Sequence, residues 1–441
     1  MHETSFPNAK PRHALLIAYK AFADLAGKGS LLVITIVAAR RLTPESFGVF
    51  ALGSTLGWIV AVVSDCGIQL HLARAVARVP AEASRLLRGW LRVRLWTAAG
   101  AVVIVATGLA AGRRSAAAVP IVVLAAVYAC NGLIEFLHYF YRGLSRSDVE
   151  SSITLWQRGA TLGCGLIALA WKPDVTLLAC AMLIPVVATL AISLRIARGI
   201  ARLKPRATSE AVAQGAGVAP RVGVAQGFSP AIATWTVFRR DVWPIGAGIV
   251  LSALYFRIDV FLVQLWAGTE SVALYNAVFR LVEALRLFPA AVLAVVLPSL
   301  IRAGDLRPLT RVAVPVTGFA IAAAAVLWIA AGWLIPFLYG APYAPAVPAF
   351  RVLLFSFPLL SLNFALTHQL VGWNGQRAYA WLCALALVTN VALNARLIPR
   401  WSIEGAAWAT LGTEIVLTVG CGIALWSARA PVPAGRLVME P

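Results

Sequence analysis

The hydrophobic positions of this chain fall in long, nearly continuous blocks of about twenty residues. Between the blocks lie short segments in which arginine, proline and glycine collect. SLLVITIVAA runs into RRLTPESFGVFALG, Arg40–Gly53, and then into a second apolar block. A helix needs about 20 residues to cross about 30 Å of hydrocarbon. The pattern therefore predicts membrane-spanning helices joined by short polar hairpins. An outer-membrane barrel would instead alternate polarity over segments of about ten residues. The expected spans are 14–38, 48–70, 95–111, 119–140, 152–171 and 175–197, then 236–265, 272–299, 312–333, 350–371, 378–396 and 405–427. The fold class expected is an all-α polytopic membrane protein with about 12 transmembrane helices.

Composition agrees with this reading. Of 441 residues 60% are hydrophobic and 13% charged, and the mean hydropathy is +0.82. Soluble domains carry about 25% charged residues. The formal charge of +20 raises the question of nucleic acid. The arginines, however, cluster in loops between apolar blocks, which favours membrane topology and contact with anionic inner-membrane lipids. No nucleic-acid module is visible, so no nucleic-acid partner is expected. The six cysteines lie in apolar segments without a CxxC pair, which predicts no disulfide and no metal site. The first 13 residues are polar, and the apolar stretch behind them is interrupted by Lys20, Asp24 and Lys28. That is expected of a retained amphipathic helix rather than a cleaved signal peptide.

Loop charge sets an expected orientation. Arg74, Arg78, Arg85, Arg88, Arg92 and Arg94 follow the second span, Arg142 and Arg146 the fourth, and Arg302, Arg307 and Arg311 the eighth. These loops alternate onto one side together with a basic linker after the sixth span. Lys and Arg mark cytoplasmic loops, so both termini are expected in the cytoplasm. The linker, 199–235, is rich in Gly, Ala and Pro and divides the chain into six-span halves, 1–198 and 236–441. PESFGVF at 44–50 aligns with TESVALY at 269–275, each after the first span of its half. Such internal repeats are common in transporters that bind substrate between two bundles.

Ionisable residues inside spans are costly and usually face protein or a water-filled cavity. Lys20, Asp24 and Lys28 recur at i, i+4 and i+8 and share one helix face. That face either lines a polar cavity or forms a local ion-pair ladder. Arg257 and Asp259 are two residues apart and point to different faces, so each needs a partner on another helix. Asn276, Arg280 and Glu283 form a polar stripe, with Arg286 three residues beyond Glu283 and Pro289 interrupting the helix nearby. An arginine presents five donors and stays charged, which suits phosphate or pyrophosphate. Arg257 and Arg280 are therefore the anion candidates; the alternative is structural pairing with Asp259 and Glu283. Asp65, Glu135 and Glu414 are read as lying near helix ends, either solvated or capping. Trp333, Tyr339 and Tyr343 are read as an interfacial aromatic belt.

Several stretches taken together resemble the Wzx-type polysaccharide and O-antigen flippases of the multidrug/oligosaccharidyl-lipid/polysaccharide exporter superfamily. They are ARRLTPESFGVFALG at 39–53, FRIDVFLVQLWAGTESVALYNAVFRLVEALRLFP at 256–289, FLYGAPYAPAVPAFRVLLFSFP at 337–358 and NARLIPRWSIEGAAWATLGTE at 394–414. The resemblance implies two six-helix bundles around a central cationic cavity. It also implies translocation of an undecaprenyl-pyrophosphate-linked oligosaccharide across the bacterial cytoplasmic membrane for surface polysaccharide synthesis. Arg257 and Asp259, with Asn276 and Arg280, are carried into the cavity region by the same resemblance. Ala273 stands where that family commonly has glycine. The alternatives are an ion-coupled drug exporter, a peptidoglycan-precursor flippase and, with less support, a membrane polysaccharide polymerase or ligase. No phosphate-cradling Gly-rich loop is present, so no enzyme activity and no cofactor are expected. Coupling to a proton or sodium gradient stays open. The expected partners are the lipid-linked glycan, inner-membrane lipids, and polymerase and glycosyltransferase proteins.

Overall fold

The computed structural model describes residues 11–111, 116–202, 242–302, 305–373 and 375–427. The expected linker lies outside the described residues from 203 onward, as do both chain ends. The helices are α1 Pro11–Arg41, α2 Pro44–Asp65, α3 Ile68–Arg78, α4 Ala83–Ala111, α5 Ala118–Gly143, α6 Ser147–Trp171 and α7 Val175–Arg202. They continue as α8 Trp243–Leu285, α9 Leu287–Arg302, α10 Arg307–Tyr339, α11 Val347–Gly372 and α12 Gln376–Ser427. Eight helical stretches among the described residues are long and apolar enough to cross a membrane. The outer surface carries Ile104, Val314, Ile329, Val388 and Ile423. Charged and amide side chains such as Arg94, Arg257, Asn363 and Glu414 are buried instead. This inverts the usual soluble arrangement, and the chain is an all-α polytopic membrane protein.

The opening RRLTPESF segment is a two-residue link. Thr43 is extended (φ −64°, ψ 153°) and its hydroxyl accepts the Ser46 N–H at 3.2 Å, with Pro44 first in α2. A hydroxyl cap followed by proline starts a helix at low cost. Arg40 reaches from the end of α1 to the far half of the chain. Its guanidinium donates to the Leu338 carbonyl at 2.8 Å and to that of Phe337, at the last turn of α10.

Two long helices fold back on themselves. In a straight helix Arg257 and Glu283 would stand about 39 Å apart, yet their side chains bond at 2.7 Å. The reversal is at Gly268 (φ 82°, ψ 175°), a conformation open to glycine and strained for other residues. In α12, Asn390 donates to Thr413 at 3.3 Å across a break at Ser402 (φ 49°, ψ −129°). α8 ends at Leu285, four residues before Pro289. The proline ring excludes the carbonyl of the residue four back from a regular turn.

The expected boundaries of the second and third spans shift. α2 stops at Asp65, because Cys66 (φ 44°) and Gly67 (φ 84°) turn left-handed. The Asp65 carboxylate then accepts the N–H groups of Gly67 at 3.1 Å and Gln69 at 3.3 Å, capping the short amphipathic α3. α4 begins at Ala83 rather than near 95, so Arg94 belongs to a helix and not to a loop. It sits on the buried stripe Leu87, Trp90, Leu91, Arg94, Ala98, with Arg85, Arg88 and Arg92 on the exposed side.

α2 runs antiparallel to the first limb of α8 and touches it at both ends. At the hairpin end a Cβ on Gly48 would lie 2.2 Å from the Thr269 carbonyl oxygen. These are the two repeated motifs, in direct contact. At the arginine-rich end a Cβ on Gly246 would lie 2.0 Å from the Cys66 carbonyl oxygen. Ala273, where the resemblance led one to expect glycine, is fully buried. Tyr339 and Tyr343 do not form an aromatic belt. Both are buried: the Tyr339 hydroxyl donates to the Ala277 carbonyl at 2.9 Å, which anchors α10 to α8, and the Tyr343 ring packs between Tyr339 and Phe47 of α2. Trp333 is exposed and stacks on Phe337.

Candidate functional site

Between α2 and α8 lie two adjoining cavities. The first, 260 Å³, is walled almost entirely by α1–α7: Ser30 from α1, Thr55 and Trp58 from α2, Tyr128, Asn131 and Glu135 from α5, Gln157, Arg158 and Thr161 from α6. The second, 510 Å³, is lined mainly by apolar side chains of α1, α2, α8, α9 and α11, including Leu32, Ala253, Phe256, Leu287 and Phe364. Arg280 and Glu283 line both. A polar chamber and an apolar chamber thus meet at a charged partition.

Leu31, Trp58, Val62 and Ile249 line both chambers as well, and three charged side chains are joined at this partition. Glu283 Oε2 accepts from Arg257 Nη2 at 2.7 Å and from Arg280 Nη1 at 2.8 Å. The fold-back at Gly268 brings Arg257 opposite Glu283, while Arg280 is one turn before Glu283 on the same limb. Arg257 also lies over the Phe279 ring, 4.6 Å from its centroid, a favourable place for a desolvated cation. Two cations share one carboxylate, so the cluster keeps a formal +1. Arg257 Nη1 and Arg280 Nε are themselves buried without a hydrogen-bond partner. Arg280 lines both chambers with its side chain 14% exposed, and an excess positive charge there is suited to an anion. Arg286, expected to reach Glu283, instead lies over the Phe256 ring at 4.5 Å and lines the apolar chamber.

The other sequence candidates occupy different places. Asp259 accepts from the Tyr275 hydroxyl, which also lies 3.2 Å from Thr410 Oγ1. This ties the two limbs of α8 to α12, and Asp259 lines neither chamber. Asn276 is buried, also lines neither chamber, and its carbonyl oxygen has no partner. Lys20, Asp24 and Lys28 lie on α1 with side chains outside the described residues.

Sequence reasoning missed the charges of the polar chamber. Arg94 is fully buried; its Nε stands 3.3 Å from Asp65 Oδ1 and its Nη1 donates to Ser64 Oγ at 3.1 Å. Asp65 lies at a helix end and caps, as one of its two readings had it, and is buried rather than solvated. Glu135 is in the body of α5 and opens into the chamber, as does Arg158 from α6. Glu414 is mid-helix and buried, accepting from Asn363 Nδ2 at 2.7 Å. The clue to Arg94 was its place on the apolar stripe of α4. Among the described residues no group of three or more His, Cys, Asp or Glu could hold a metal ion.

Solved structures share this architecture. The chain is similar to an inward-facing multidrug resistance MATE family transporter of the MOP superfamily, with a TM-score of 0.66 and 14% identity over 93% of this chain and 94% of that one. It is similar to the lipid II flippase MurJ in an inward closed conformation, with a TM-score of 0.68 and 12% identity over 94% of this chain and 88% of that one. A MOP superfamily transporter from Pyrococcus furiosus, described by the reverse polarity of its binding pocket, aligns with a TM-score of 0.57 and 13% identity over 94% of each chain. No curated protein matches. These likenesses show that the chain shares the fold of those transporters. The family described as polysaccharide biosynthesis protein matches residues 17–303, well over half of the sequence, and the chain belongs to that family.

Proposed function

We propose that this protein is a twelve-span transporter that carries a lipid-linked substrate with an anionic headgroup between membrane leaflets by alternating access. Its cargo, in this reading, is an undecaprenyl-pyrophosphate-linked oligosaccharide for surface polysaccharide synthesis in a bacterial cytoplasmic membrane. The fold-backs at Gly268 and Ser402 turn eight apolar stretches into ten, and α1 and α6 bring the number to twelve. The halves are 1–198 and 236–441, joined by a linker at 199–235. Polymerase and glycosyltransferase partners belong to the same reading. The observation that carries it is the partition: Arg257 and Arg280 share Glu283 and leave a formal +1, and Arg280 stands where a polar chamber meets an apolar one. A phosphate bound there would have sugar on one side and lipid on the other. Lys20, Asp24 and Lys28, four residues apart in turn on α1, belong to the same reading as candidate cavity residues.

Replacing Arg280 with Gln keeps hydrogen-bonding capacity and removes the charge. Charge-assisted hydrogen bonds contribute about 1.5–3 kcal/mol, so headgroup affinity should fall about 10- to 100-fold. In cells the lipid-linked precursor should accumulate unflipped while its synthesis continues. Normal transfer by membrane-inserted R280Q would sink the cationic role. The proposed orientation is tested separately with a charged thiol reagent. A cysteine at exposed Arg85 should label from the cytoplasm and one at exposed Pro342 from outside. Labelling of both from one side would refute twelve spans with cytoplasmic termini.

A second reading is a peptidoglycan-precursor flippase or an ion-coupled drug exporter. The similar solved structures stand nearer to it, since their names are those of multidrug transporters and a lipid II flippase. A peptidoglycan precursor shares the anionic, lipid-linked chemistry and differs in its sugars. A cationic drug would meet the excess positive charge of the partition.

A further inference from the structure

We infer that the cavity between α3 and the start of α8 is a regulatory site for an anionic phospholipid, whose phosphate sits between Arg74 and Arg78 and favours closure of the two halves at the arginine-rich end. The inference goes beyond the cargo reading above. It concerns a lipid that stays in its leaflet, at a site apart from Arg257 and Arg280.

The cavity is 330 Å³, lined by Leu70, His71, Arg74, Ala75 and Arg78 of α3 and by Val242 at the start of α8. α3 buries Ile68, Leu72 and Val76 against the protein. Positions 71, 74 and 78 follow the helical period on another side, so both guanidinium groups belong to one face. Arg74 and Arg78 are exposed. Surface arginines nearby are held by acids: Arg85 stands 3.8 Å from Glu82, and Arg146 bonds Asp148 at 3.0 Å. Among the described residues Arg74 and Arg78 have no such acid. The His71 ring packs edge-on against Trp90, with 5.2 Å between centroids, which fixes the imidazole as part of the wall. Arginine matches phosphate through its planar fork of donors. Two of them, without an acid and on the wall of one concave space, are suited to a phosphodiester.

The location selects a lipid over a free anion. On the neighbouring α4, Leu95 and Trp96 are exposed at 43% and 75% just beyond Arg92. Exposed tryptophan next to exposed arginine marks the level of the membrane interface, and basic pockets at that level take anionic headgroups. A headgroup ammonium would add a third cation beside the two arginines, so phosphatidylglycerol fits and phosphatidylethanolamine does not. Leu70 and Ala75 offer the glycerol backbone an apolar seat. The link to closure comes from the opposite wall. Val242 is 1% exposed and belongs to the other half of the chain from α3. A Cβ on Gly67, the residue before α3, would lie 3.1 Å from Gly246 Cα and 3.6 Å from the Val242 carbonyl oxygen. Separation of the halves here would remove one wall of the cavity. A ligand that uses both walls binds the closed state more tightly and shifts the population toward it.

The test uses the full chain in nanodiscs of phosphatidylcholine, with and without phosphatidylglycerol. Native mass spectrometry reads the retained lipid, and hydrogen exchange of the amides at 242–248 reads closure. Wild type should retain phosphatidylglycerol, and its presence should slow exchange at 242–248 about fivefold or more. The double variant Arg74→Gln, Arg78→Gln should bind the lipid about 25-fold more weakly and lose the slowing. The control Arg85→Gln, Arg88→Gln removes the same charge from exposed positions outside the cavity and should keep both. Wild-type exchange over 124–140 shows that each variant is folded. Equal loss in the two double variants would mean diffuse surface charge only and overturn the site. Lipid retained by R74Q/R78Q, or bound by wild type without slowed exchange, would overturn the inference as well. So would the same slowing by inorganic phosphate in phosphatidylcholine alone, which would mark a free-anion site. No probe here contains the cargo. If R280Q carries the cargo normally, the pyrophosphate assignment fails and this site stands.

Discussion

Gly246→Val should abolish transport by a protein that still inserts and folds. A Cβ at this position would stand 2.0 Å from the Cys66 carbonyl oxygen and 2.7 Å from its carbonyl carbon. Both are backbone atoms, so no side chain can swing away. The start of α8 and the end of α2 would have to separate. Overpacking of this kind costs roughly 1–3 kcal/mol, which depopulates the state closed at this end by about 5- to 150-fold. Gly48→Val should act likewise at the other end, where the obstacle is the Thr269 carbonyl oxygen at 2.2 Å. An alternating cycle needs each end to close in turn. Transport at the wild-type rate by either variant, at matched protein levels, would show that these contacts are not part of the cycle.

Arg94→Met should destabilise the protein strongly. It leaves Asp65 buried without its cation, and breaking one side of a buried pair typically costs about 3–5 kcal/mol. Adding Asp65→Asn should restore part of the loss, because it removes the unpaired charge and the remaining amide oxygen can still accept one of the two N–H groups, that of Gly67 or Gln69. Unfolding of purified protein in detergent measures both. If the double variant is as unstable as the single one, the pair is not the reason Arg94 is buried.

These two positions show how far the sequence can be read. The long apolar blocks and the Thr-Pro-Glu link dictated helices and a hairpin, because hydrophobic length and capping chemistry act locally. Both repeated motifs were visible as well, though not that Gly48 of one rests on Thr269 of the other. Arg94 was lost among its neighbours. Six arginines between positions 74 and 94 read as a loop, and only the helical period of Leu87, Trp90, Leu91 and Ala98 separates the buried one from the rest. For Arg257 the need for a distant partner was legible from its spacing to Asp259. Which partner was not legible, since Glu283 is brought opposite only by the reversal at Gly268. Tyr339 and Tyr343 show the reverse error. Their position beside Gly340 and Pro342 looked interfacial, but packing against α8 decides their burial.

The partition also clarifies why Glu283 is there. Two arginines side by side in a membrane interior would repel each other and lack solvation. One carboxylate between them makes the cluster tolerable when no anion is bound, and leaves enough positive charge for an arriving phosphate. Lengthening or removing that carboxylate would upset the empty state before it affected the loaded one.

The central claim is that this protein moves an anionic lipid-linked glycan across a bilayer by way of that partition. Purified protein in sealed liposomes, supplied with a fluorescent undecaprenyl-pyrophosphoryl oligosaccharide in one leaflet, measures it most directly. Accessibility of the glycan to a membrane-impermeant quencher reports transfer. Wild type should equilibrate the lipid between leaflets, and R280Q at equal reconstitution should be slowed about tenfold or more. Failure of wild type to move this lipid, under either a proton or a sodium gradient, together with uptake of a cationic dye by the same liposomes, would contradict the account.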